Sequence, residues 1–546
     1  MKSVLFSKYF YYFLLCFLVV FEFGCYKDKG NNKYNDLPGK LTISFTTSSF
    51  TKTIGVDTLV IDPIITYTGD TSDLSYEWQI FRKKSPYVYA TIQKGKRLQY
   101  RCGPDDYITT NSTYSLRLVV TNKKLAVGIG VDSATNQTYS NAISLSIVKA
   151  SYRGLMVLHG DGTQCDVGLI EHDMFLPGTS NTVTTRVTPN FYSLNNAGAK
   201  INGVGRQVNK YKWGTSSTLT SEVYIFTDKG GVRTDYLLLQ KAATDYSSLF
   251  TFPSHASGNP QSFVQRGQNQ GRAVIDNGRV FYGDFNGPLF YNNSTTSYYA
   301  SPYALPTANS YCDRGVVIFD TVSKAFLYSQ YISGTTTVKP FPSSTVSGVN
   351  LQPNDMKARL LFAELRSWPT AADNGTAANV TDAMAVMQDL VTGEKYLADF
   401  NMFTTDATKI SIGRYSMNAL PDINNAKYYA FGSGTNANYY ATDQSIYKYL
   451  FLNGNTASAV YTVPSGEQIT MMKILKYEYI YLSTAYYKNT NKIMIVSTKN
   501  SQGQGKIYTF DVDITTGALT QTGSFDGTES GGSRFGQIFD VNLKDQ

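Results

Sequence analysis

The stretch Val316-Val317-Ile318-Phe319-Asp320-Thr321-Val322-Ser323-Lys324-Ala325-Phe326-Leu327-Tyr328 decides the fold of most of this chain. An apolar run ends at Asp320, a short turn follows, and a second apolar run begins at Ala325. An Asp side chain at such a turn accepts hydrogen bonds from backbone N–H groups about two residues further on. The pattern therefore predicts two antiparallel strands joined as a hairpin.

The same pattern recurs through residues 150–546. Clear copies run from Met384 to Leu397 and from Ile507 to Leu519, each with a Gly in the turn that supplies a positive φ. Looser copies centre on Asp161, Asp228, Asp276 and Asp443. These seven copies lie roughly 45–70 residues apart, and propeller blades are four-stranded units of roughly 40–50 residues that insertions lengthen. The repeat predicts a β-propeller of about seven blades, with six or eight blades or a pair of sandwiches as the alternatives.

The composition assigns the whole chain to the all-β class. Its 546 residues include 42 Tyr and 30 Phe, and 16% of them are charged. Aromatic and β-branched residues with Gly-rich turns favour strands, and no long window repeats every 3.6 residues. A chain of this length exceeds what one core can hold, so two or more domains are expected. The net charge of +8 is scattered, and without a clustered basic stripe we expect no nucleic-acid partner.

Residues 38–149 form a separate module of short alternating runs. The run from Leu74 to Ile80 places its even-numbered residues on one face of a strand, and the run from Tyr114 to Val120 alternates in the same way. About seven such strands in roughly 110 residues predict a β-sandwich.

Residues 1–24 have the parts of a secretory signal. Lys2 and Lys8 precede an apolar run from Phe10 to Phe21, which is shorter than the roughly 20 residues that span a bilayer. We therefore expect this leader to be removed on export rather than to remain as a membrane helix.

The pair Gly24-Cys25 follows the leader and resembles the lipobox of bacterial lipoproteins. This resemblance implies cleavage before Cys25 and acylation of its thiol, with palmitate among the chains. The polar, unpatterned residues 25–37 then predict a flexible tether. The alternative is a leader that is removed elsewhere, which leaves a soluble secreted protein.

Tyr76-Glu77-Trp78, with the alternating run from Tyr114 to Val120, resembles a PKD-type immunoglobulin-like sandwich. The resemblance implies that Trp78 is the central core aromatic. The layout also resembles the PKD-like lipoprotein family of Bacteroidota, which starts with a Cys-Tyr-x-Asp-x-Gly-Asn motif like Cys25 to Asn31. Members lie beside outer-membrane nutrient transporters, so the resemblance implies an outer-membrane, surface-exposed protein with a transporter complex as its partner.

Catalytic and metal chemistry has few candidates in this sequence. The residues closest to a metal-ligand set are His159, Asp161, Cys165, Asp166, Glu171, His172 and Asp173. They lack HExxH or CxxC spacing, and a hairpin and its loop explain them better. Asp511 and Asp513 share a strand face but fit the turn pattern, and no GxSxG or phosphate-binding loop occurs. We therefore predict no catalytic residue, no metal and no cofactor.

Paired tyrosines are the best sign of a ligand. A flat ring with a hydroxyl can stack on a sugar while neighbouring Asn and Thr bind its hydroxyls. The predicted ligand contacts are Tyr298, Tyr299, Tyr439, Tyr440, Tyr486 and Tyr487.

Taken together, the sequence predicts a lipid-anchored, non-enzymatic protein that captures a glycan or peptide. The alternative is a propeller-based glycan hydrolase or lyase that uses carboxylates in a central pocket. The sequence leaves open whether any two of Cys102, Cys165 and Cys312 form a disulfide.

Overall fold

The computed structural model describes most of the chain after residue 40. The described ranges are 41–54, 57–82, 86–103, 107–108, 112–124, 136–148, 153–176, 185–213, 220–242, 245–265, 272–283, 289–291, 297–306, 316–332, 335–366, 382–402, 406–432, 436–476, 489 and 491–544. The chain divides into two compact units, Met1–Lys149 and Ala150–Gln546. Within the described ranges, no helix is long and apolar enough to cross a membrane.

The first unit is a β-sandwich. Its strands are β1 (Thr42–Ser44), β2 (Ser49–Thr53), β3 (Thr58–Ile61), β4 (Ile64–Thr66), β5 (Leu74–Phe81), β6 (Tyr89–Lys94), β7 (Leu98–Arg101), β8 (Ser112–Asn122), β9 (Gln137–Tyr139) and β10 (Ile143–Val148). The large sheet has the order β2-β10-β8-β5-β6, with β9 on β8, and the small pairs are β1-β4 and β3-β7. A short 3₁₀ turn, Thr71–Asp73, leads into β5.

The sandwich core follows the alternation predicted from the sequence. Trp78 is fully buried, as are Ile80, Leu116 and Leu118. The Trp78 indole N–H donates to the Lys96 carbonyl at 3.1 Å, so its polar atom is satisfied inside the core. Trp78 is therefore the central aromatic of this unit.

The second unit contains seven antiparallel sheets within its described residues. Sheet 1 is β11 (Gly154–Gly160), β12 (Gln164–Glu171), β13 (Arg186–Thr188) and the C-terminal β38 (Gln537–Lys544), with β14 (Ile201–Asn202) on β12; sheet 2 is β15 (Gly205–Trp213), β16 (Thr220–Thr227) and β17 (Gly230–Asp235); sheet 3 is β18 (Pro260–Gln265), β19 (Arg272–Asp276), β20 (Arg279–Gly283) and β21 (Phe290–Tyr291).

Sheets 4 to 7 have four strands each. Sheet 4 is β22 (Ala300–Pro306), β23 (Val316–Asp320), β24 (Ala325–Ile332) and β25 (Thr335–Pro340); sheet 5 is β26 (Ala358–Leu365), β27 (Asp382–Asp389), β28 (Lys395–Asn401) and β29 (Ser411–Ser416); sheet 6 is β30 (Tyr428–Phe431), β31 (Asn438–Ala441), β32 (Ser445–Leu450) and β33 (Thr456–Thr462); sheet 7 is β34 (Glu467–Ile474), β35 (Ile493–Asn500), β36 (Gly505–Val512) and β37 (Leu519–Phe525). Short helices are α1 (Phe191–Asn195) and the 3₁₀ turns Asp173–Phe175, Ser247–Leu249, Pro253–His255 and Ile423–Asn425.

The sheets form a closed ring. The inner strands contact one another in the order β38, β15, β18, β22, β26, β30 and β34, and β34 contacts β38 again. Apolar clusters fill the spaces between successive sheets, for example sheets 5 and 6, and sheets 6 and 7. The ring is closed within sheet 1, where β38 pairs with β11 from the other end of the unit. This arrangement is a β-propeller, and the predicted fold class is confirmed.

The predicted Asp turns join the second and third strands of sheets 1 to 6. In sheet 4, for instance, Asp320 accepts the N–H groups of Val322 and Ser323 at 3.0 and 3.1 Å. Sheet 7 differs from the prediction, because Asp513 turns the chain between its third and fourth strands. The second and third strands of sheet 7 are joined at Asn500, whose Oδ1 accepts the N–H groups of Gln502 and Gln504 at 3.0 Å each.

Candidate functional site

A polar pocket of about 370 Å³ opens where sheets 6, 7 and 1 meet. It lies at the end of the ring where the inner strands β34 and β38 begin. Its lining residues are Gln444, Gly466, Glu467, Gln468, Lys499, Asn500, Ser501, Gly503 and Gln537. This lining has four side-chain amides, one ammonium group and one carboxylate, and no aromatic ring. The pocket therefore offers hydrogen bonds rather than an apolar surface.

The carboxylate in the pocket wall is already bound by the protein. Glu467 accepts the Tyr508 hydroxyl at 2.9 Å and the Thr498 hydroxyl at 2.6 Å. Burial raises the pKa of Tyr508, and its hydrogen bond to Glu467 raises that pKa further. Tyr508 therefore remains a neutral donor to Glu467, which positions the carboxylate as part of the wall.

Four further polar side chains of the pocket, those of Gln444, Lys499, Asn500 and Gln537, have hydrogen-bond partners in the protein. Lys499 Nζ donates to Gln537 Oε1 at 3.1 Å, and Gln444 Nε2 donates to the Glu467 carbonyl at 2.8 Å. Asn500 is fixed by its turn and also donates through Nδ2 to Gln504 Oε1 at 3.0 Å. Because these contacts already order the side chains, a ligand would meet a largely pre-organised surface.

Two pairs of opposite charges connect inner strands elsewhere in the ring. Glu364 at the end of β26 accepts Lys476 Nζ at 2.5 Å, and its other oxygen accepts the Phe431 N–H of β30. The Lys476 side chain is only 8% exposed. Burial lowers the pKa of Lys476, and the Glu364 carboxylate opposes that shift.

The second pair involves Asp540 on the closing strand β38. Its Oδ1 accepts Lys473 Nζ at 3.1 Å, and its Oδ2 accepts the Val208 N–H of β15 at 3.0 Å. Like Glu364, Asp540 thus joins its own sheet to two others. Both carboxylates bind a Lys and a backbone N–H, which is the pattern of a structural crosslink between sheets.

The predicted contacts Tyr298 and Tyr299 differ in accessibility. Tyr298 packs against the core between sheets 3 and 4, and its hydroxyl accepts the Val280 N–H at 3.3 Å. Tyr299 is 43% exposed, and its hydroxyl donates to Asn277 Oδ1 at 3.2 Å. Of this pair, Tyr299 has the ring surface that could contact a ligand.

The predicted contacts Tyr439 and Tyr440 are wrong, because both side chains are fully buried. Tyr439 packs between sheets 6 and 7 and donates to the Gly517 carbonyl at 3.0 Å. Tyr440 packs between sheets 5 and 6 and donates to the Pro421 carbonyl at 2.6 Å. Successive strand residues point to opposite faces, and in a propeller both faces of a sheet are covered. Tyr486, Tyr487 and Cys25 lie outside the described residues.

The two histidines between residues 159 and 173, which the sequence offers as possible metal ligands, form hydrogen bonds with the protein backbone. His159 Nδ1 accepts the Gly536 N–H at 3.1 Å, and Nε2 donates to the Pro189 carbonyl at 2.9 Å. His172 accepts the Met174 N–H through Nδ1 at the start of a 3₁₀ turn. Burial raises the pKa of Cys165 to about 12, so its thiol is unreactive. Among the residues described, no three His, Cys, Asp or Glu side chains come together as metal ligands.

No local sequence pattern predicts the pocket itself. Its amides come from three sheets and from positions between 444 and 537, so no local motif contains them. The nearest clue is Ser501-Gln502-Gly503-Gln504-Gly505, a turn in which polar amides alternate with Gly.

The PKD-like family matches residues 25–204, which include the first unit from residue 25 onward and the start of the second unit. No curated protein sequence matches the chain. Among solved structures, a quinoprotein alcohol dehydrogenase-like protein from Bacteroides thetaiotaomicron is 12% identical, with 92% of this chain and 97% of that chain covered and a TM-score of 0.43.

Two other solved structures illustrate the range of the likeness. The extracellular domain of a one-component system from B. thetaiotaomicron is 11% identical, with 90% of this chain and 69% of that chain covered and a TM-score of 0.36. The WD40 domain of SCAP from fission yeast is 7% identical, with 56% and 64% covered and a TM-score of 0.32. At TM-scores below 0.5, these likenesses carry no inference about function.

Proposed function

We propose that this chain is an exported lipoprotein that captures a hydroxyl-rich ligand, most simply a neutral glycan, without altering it chemically. The observation that carries the proposal is the amide-lined pocket between sheets 6, 7 and 1. Amides donate and accept hydrogen bonds at once, which matches the hydroxyl groups of a sugar. A bound peptide would instead be expected to use apolar pockets for its side chains.

The non-enzymatic part of the proposal rests on how the carboxylates are used. Acid–base catalysis requires a carboxyl group that can exchange a proton with the substrate. Glu467 binds two hydroxyl donors, while Glu364 and Asp540 each bind a Lys and a backbone N–H. All three carboxylates therefore have partners within the protein, and this use of them supports a structural role over acid–base catalysis.

The location of the protein is proposed from its N-terminal residues. The leader pattern ends at Gly24-Cys25, and the match to the PKD-like family begins at residue 25. We infer that acylation of Cys25 anchors the chain to the outer membrane and that the tether presents it at the cell surface. In this position it would deliver its ligand to a neighbouring outer-membrane transporter.

A glycan array with residues 26–546 tests the pocket. We expect binding to neutral oligosaccharides, and we expect Gln468→Ala and Gln537→Ala to weaken it about five- to tenfold, as loss of neutral hydrogen bonds predicts. Gln502→Ala is the matched control, since this exposed amide lies in the same turn but outside the lining. The proposal would be overturned if the protein bound no glycan. It would also be overturned if Gln468→Ala and Gln537→Ala bound the glycan as tightly as the control Gln502→Ala.

A further inference from the structure

The positively charged side chain of Arg117 lies between two tyrosine rings. These side chains are on the outer face of the large sheet of the first unit. The Arg117 guanidinium is 3.8 Å from the centre of the Tyr89 ring and 4.5 Å from that of the Tyr139 ring. Strand register accounts for the grouping, because Gln79 pairs with Arg117 and Phe81 pairs with Tyr89. These side chains therefore share one face, opposite to the face that buries Trp78.

The guanidinium is fixed in orientation. Its Nε donates to Gln79 Oε1 at 2.9 Å, and Tyr89 is held by a 3.0 Å contact between its hydroxyl and that of Ser115. Phe81 packs on the edge of the Tyr89 ring at 5.3 Å. Within the described part of the chain, the two Nη groups of Arg117 have no hydrogen-bond partner. They form a rigid donor pair of the kind that binds a carboxylate in a bidentate manner.

The second tyrosine adds an accessible ring to this donor pair. Tyr139 is 46% exposed, and its hydroxyl donates to Gln137 Oε1 at 2.7 Å. An exposed ring next to a fixed guanidinium matches a ligand that has both a flat, weakly polar face and a carboxylate.

We propose that this cluster of Phe81, Gln79, Tyr89, Arg117 and Tyr139 is a second binding site, specific for an acidic sugar of the uronic acid class. The carboxylate would bind the Nη groups of Arg117 while the sugar packs against the exposed edge of the Tyr139 ring, because the ring face towards Arg117 is covered by the guanidinium. The site shares no residue with the pocket of the second unit, so its test is independent of the proposed function.

The backbone around the cluster favours a sugar over an acidic peptide. Both β5 and β8 are central strands, with β6 and β8 beside β5, and β5 and β10 beside β8. Their backbone groups are used within the sheet, so an extended peptide cannot pair with the strands that hold Gln79 and Arg117, whereas β6 and β9, which hold Tyr89 and Tyr139, are edge strands. A sugar needs no backbone partner, because side-chain groups and rings bind it.

Titration calorimetry with residues 26–546 tests the site directly. The probe is hexagalacturonate, and its methyl ester is the matched neutral ligand. We expect saturable binding of the acid and at least tenfold weaker binding of the ester. Arg117→Gln should weaken binding of the acid by about tenfold or more. Arg117→Lys keeps the positive charge, so its affinity should lie between those of Arg117→Gln and the unaltered chain. Tyr139→Ala should weaken binding by about tenfold.

Two exposed residues of the same unit serve as controls. Arg97→Gln removes a guanidinium that is 62% exposed, and Tyr87→Ala removes a ring that is 68% exposed. Both variants should bind the acid like the unaltered chain, and unchanged melting temperatures would exclude misfolding in every variant. The site would be disproved by equal binding of acid and ester, by wild-type affinity in Arg117→Gln, or by hexaglutamate binding as tightly as hexagalacturonate.

Discussion

The Asp540 carboxylate accepts the backbone N–H of Val208 at 3.0 Å, although the two residues are 332 positions apart in the chain. Asp540 lies on the closing strand β38 and Val208 lies on β15, the inner strand of the next sheet. Because Lys473 binds the other oxygen of Asp540, one side chain connects three sheets at the point where the ring closes. The stability of the propeller should therefore depend strongly on this residue.

Asp540→Ala should lower the free energy of unfolding by about 1–3 kcal/mol, because it leaves the buried Val208 N–H without its acceptor and removes the carboxylate partner of Lys473, whose ammonium keeps its 2.8 Å bond to the Val541 carbonyl. Lys473→Met should cost less, since Asp540 keeps its bond to Val208. Chemical denaturation of both variants measures the difference. Asp511→Ala, which removes an exposed carboxylate, should stay within about 0.5 kcal/mol of the unaltered chain. A similarly small effect for Asp540→Ala would contradict the role of this crosslink.

Deletion of residues 537–546 should abolish cooperative unfolding of the second unit. Without β38, sheet 1 loses its inner strand, and both β15 and β34 lose a neighbour. Differential scanning calorimetry and limited proteolysis measure the result. A truncated chain that keeps a sharp transition at the original temperature would show that the ring does not need its C-terminal strand.

Asp161→Asn should reduce the loss of stability in acid. Backbone hydrogen bonds from Gln164 and Thr163 lower the pKa of Asp161 from 3.8 to about 2. A carboxylate with a lowered folded pKa stabilises fully above its unfolded pKa, and this contribution is lost as the pH falls from about 4 to about 2. Asn accepts the same hydrogen bonds but as an uncharged acceptor, so the variant should be somewhat less stable at pH 7 and should lose less stability than the unaltered chain as the pH falls. Denaturation curves between pH 2 and 5 provide the measurement, and an unchanged slope would refute the expectation.

His159 should make the ring less stable below about pH 6.5. Burial lowers its pKa from the ordinary value of 6.5, so the unfolded chain binds a proton that the folded chain resists. Stability is therefore lost as the pH falls below 6.5, and protonation of Nδ1 would break the bond from Gly536. His172 has a pKa shift in the same direction and adds to this slope.

Melting temperatures between pH 5 and 7 measure the effect. His159→Gln should flatten the profile, whereas the exposed His255→Gln should leave it unchanged. Identical profiles for the two variants would mean that His159 does not sense pH.

Much of the fold could be predicted from local patterns. The alternation of apolar and polar residues around Trp78 predicts the sandwich core. The Asp turns predict the hairpin between the second and third strands of each of sheets 1 to 6. Sheet 7 was misread because its third and fourth strands repeat the same pattern at Asp513, while Asn500 forms the expected turn with an amide. Asn and Asp make the same side-chain-to-backbone bond, so the residue type alone could not assign the turn.

The candidate site was less accessible to sequence reasoning. Tyr439 and Tyr440 looked like surface aromatics beside polar loops, but the packing of neighbouring sheets buries both. The pocket instead uses Gln and Asn side chains from three sheets, and their convergence depends on ring closure. Arg117 and Tyr139 likewise meet through strand register, which the alternating pattern does not specify.

We propose above all that the protein binds a glycan without cleaving it. Calorimetry combined with analysis of the recovered glycan tests this proposal most directly. Residues 26–546 would be titrated with the neutral glycan selected on the array, and the glycan would then be recovered and sized by chromatography. We expect saturable, reversible binding that Gln537→Ala weakens, and we expect every recovered glycan chain to keep its original length. Shortened or unsaturated products that accumulate in proportion to protein concentration would contradict it.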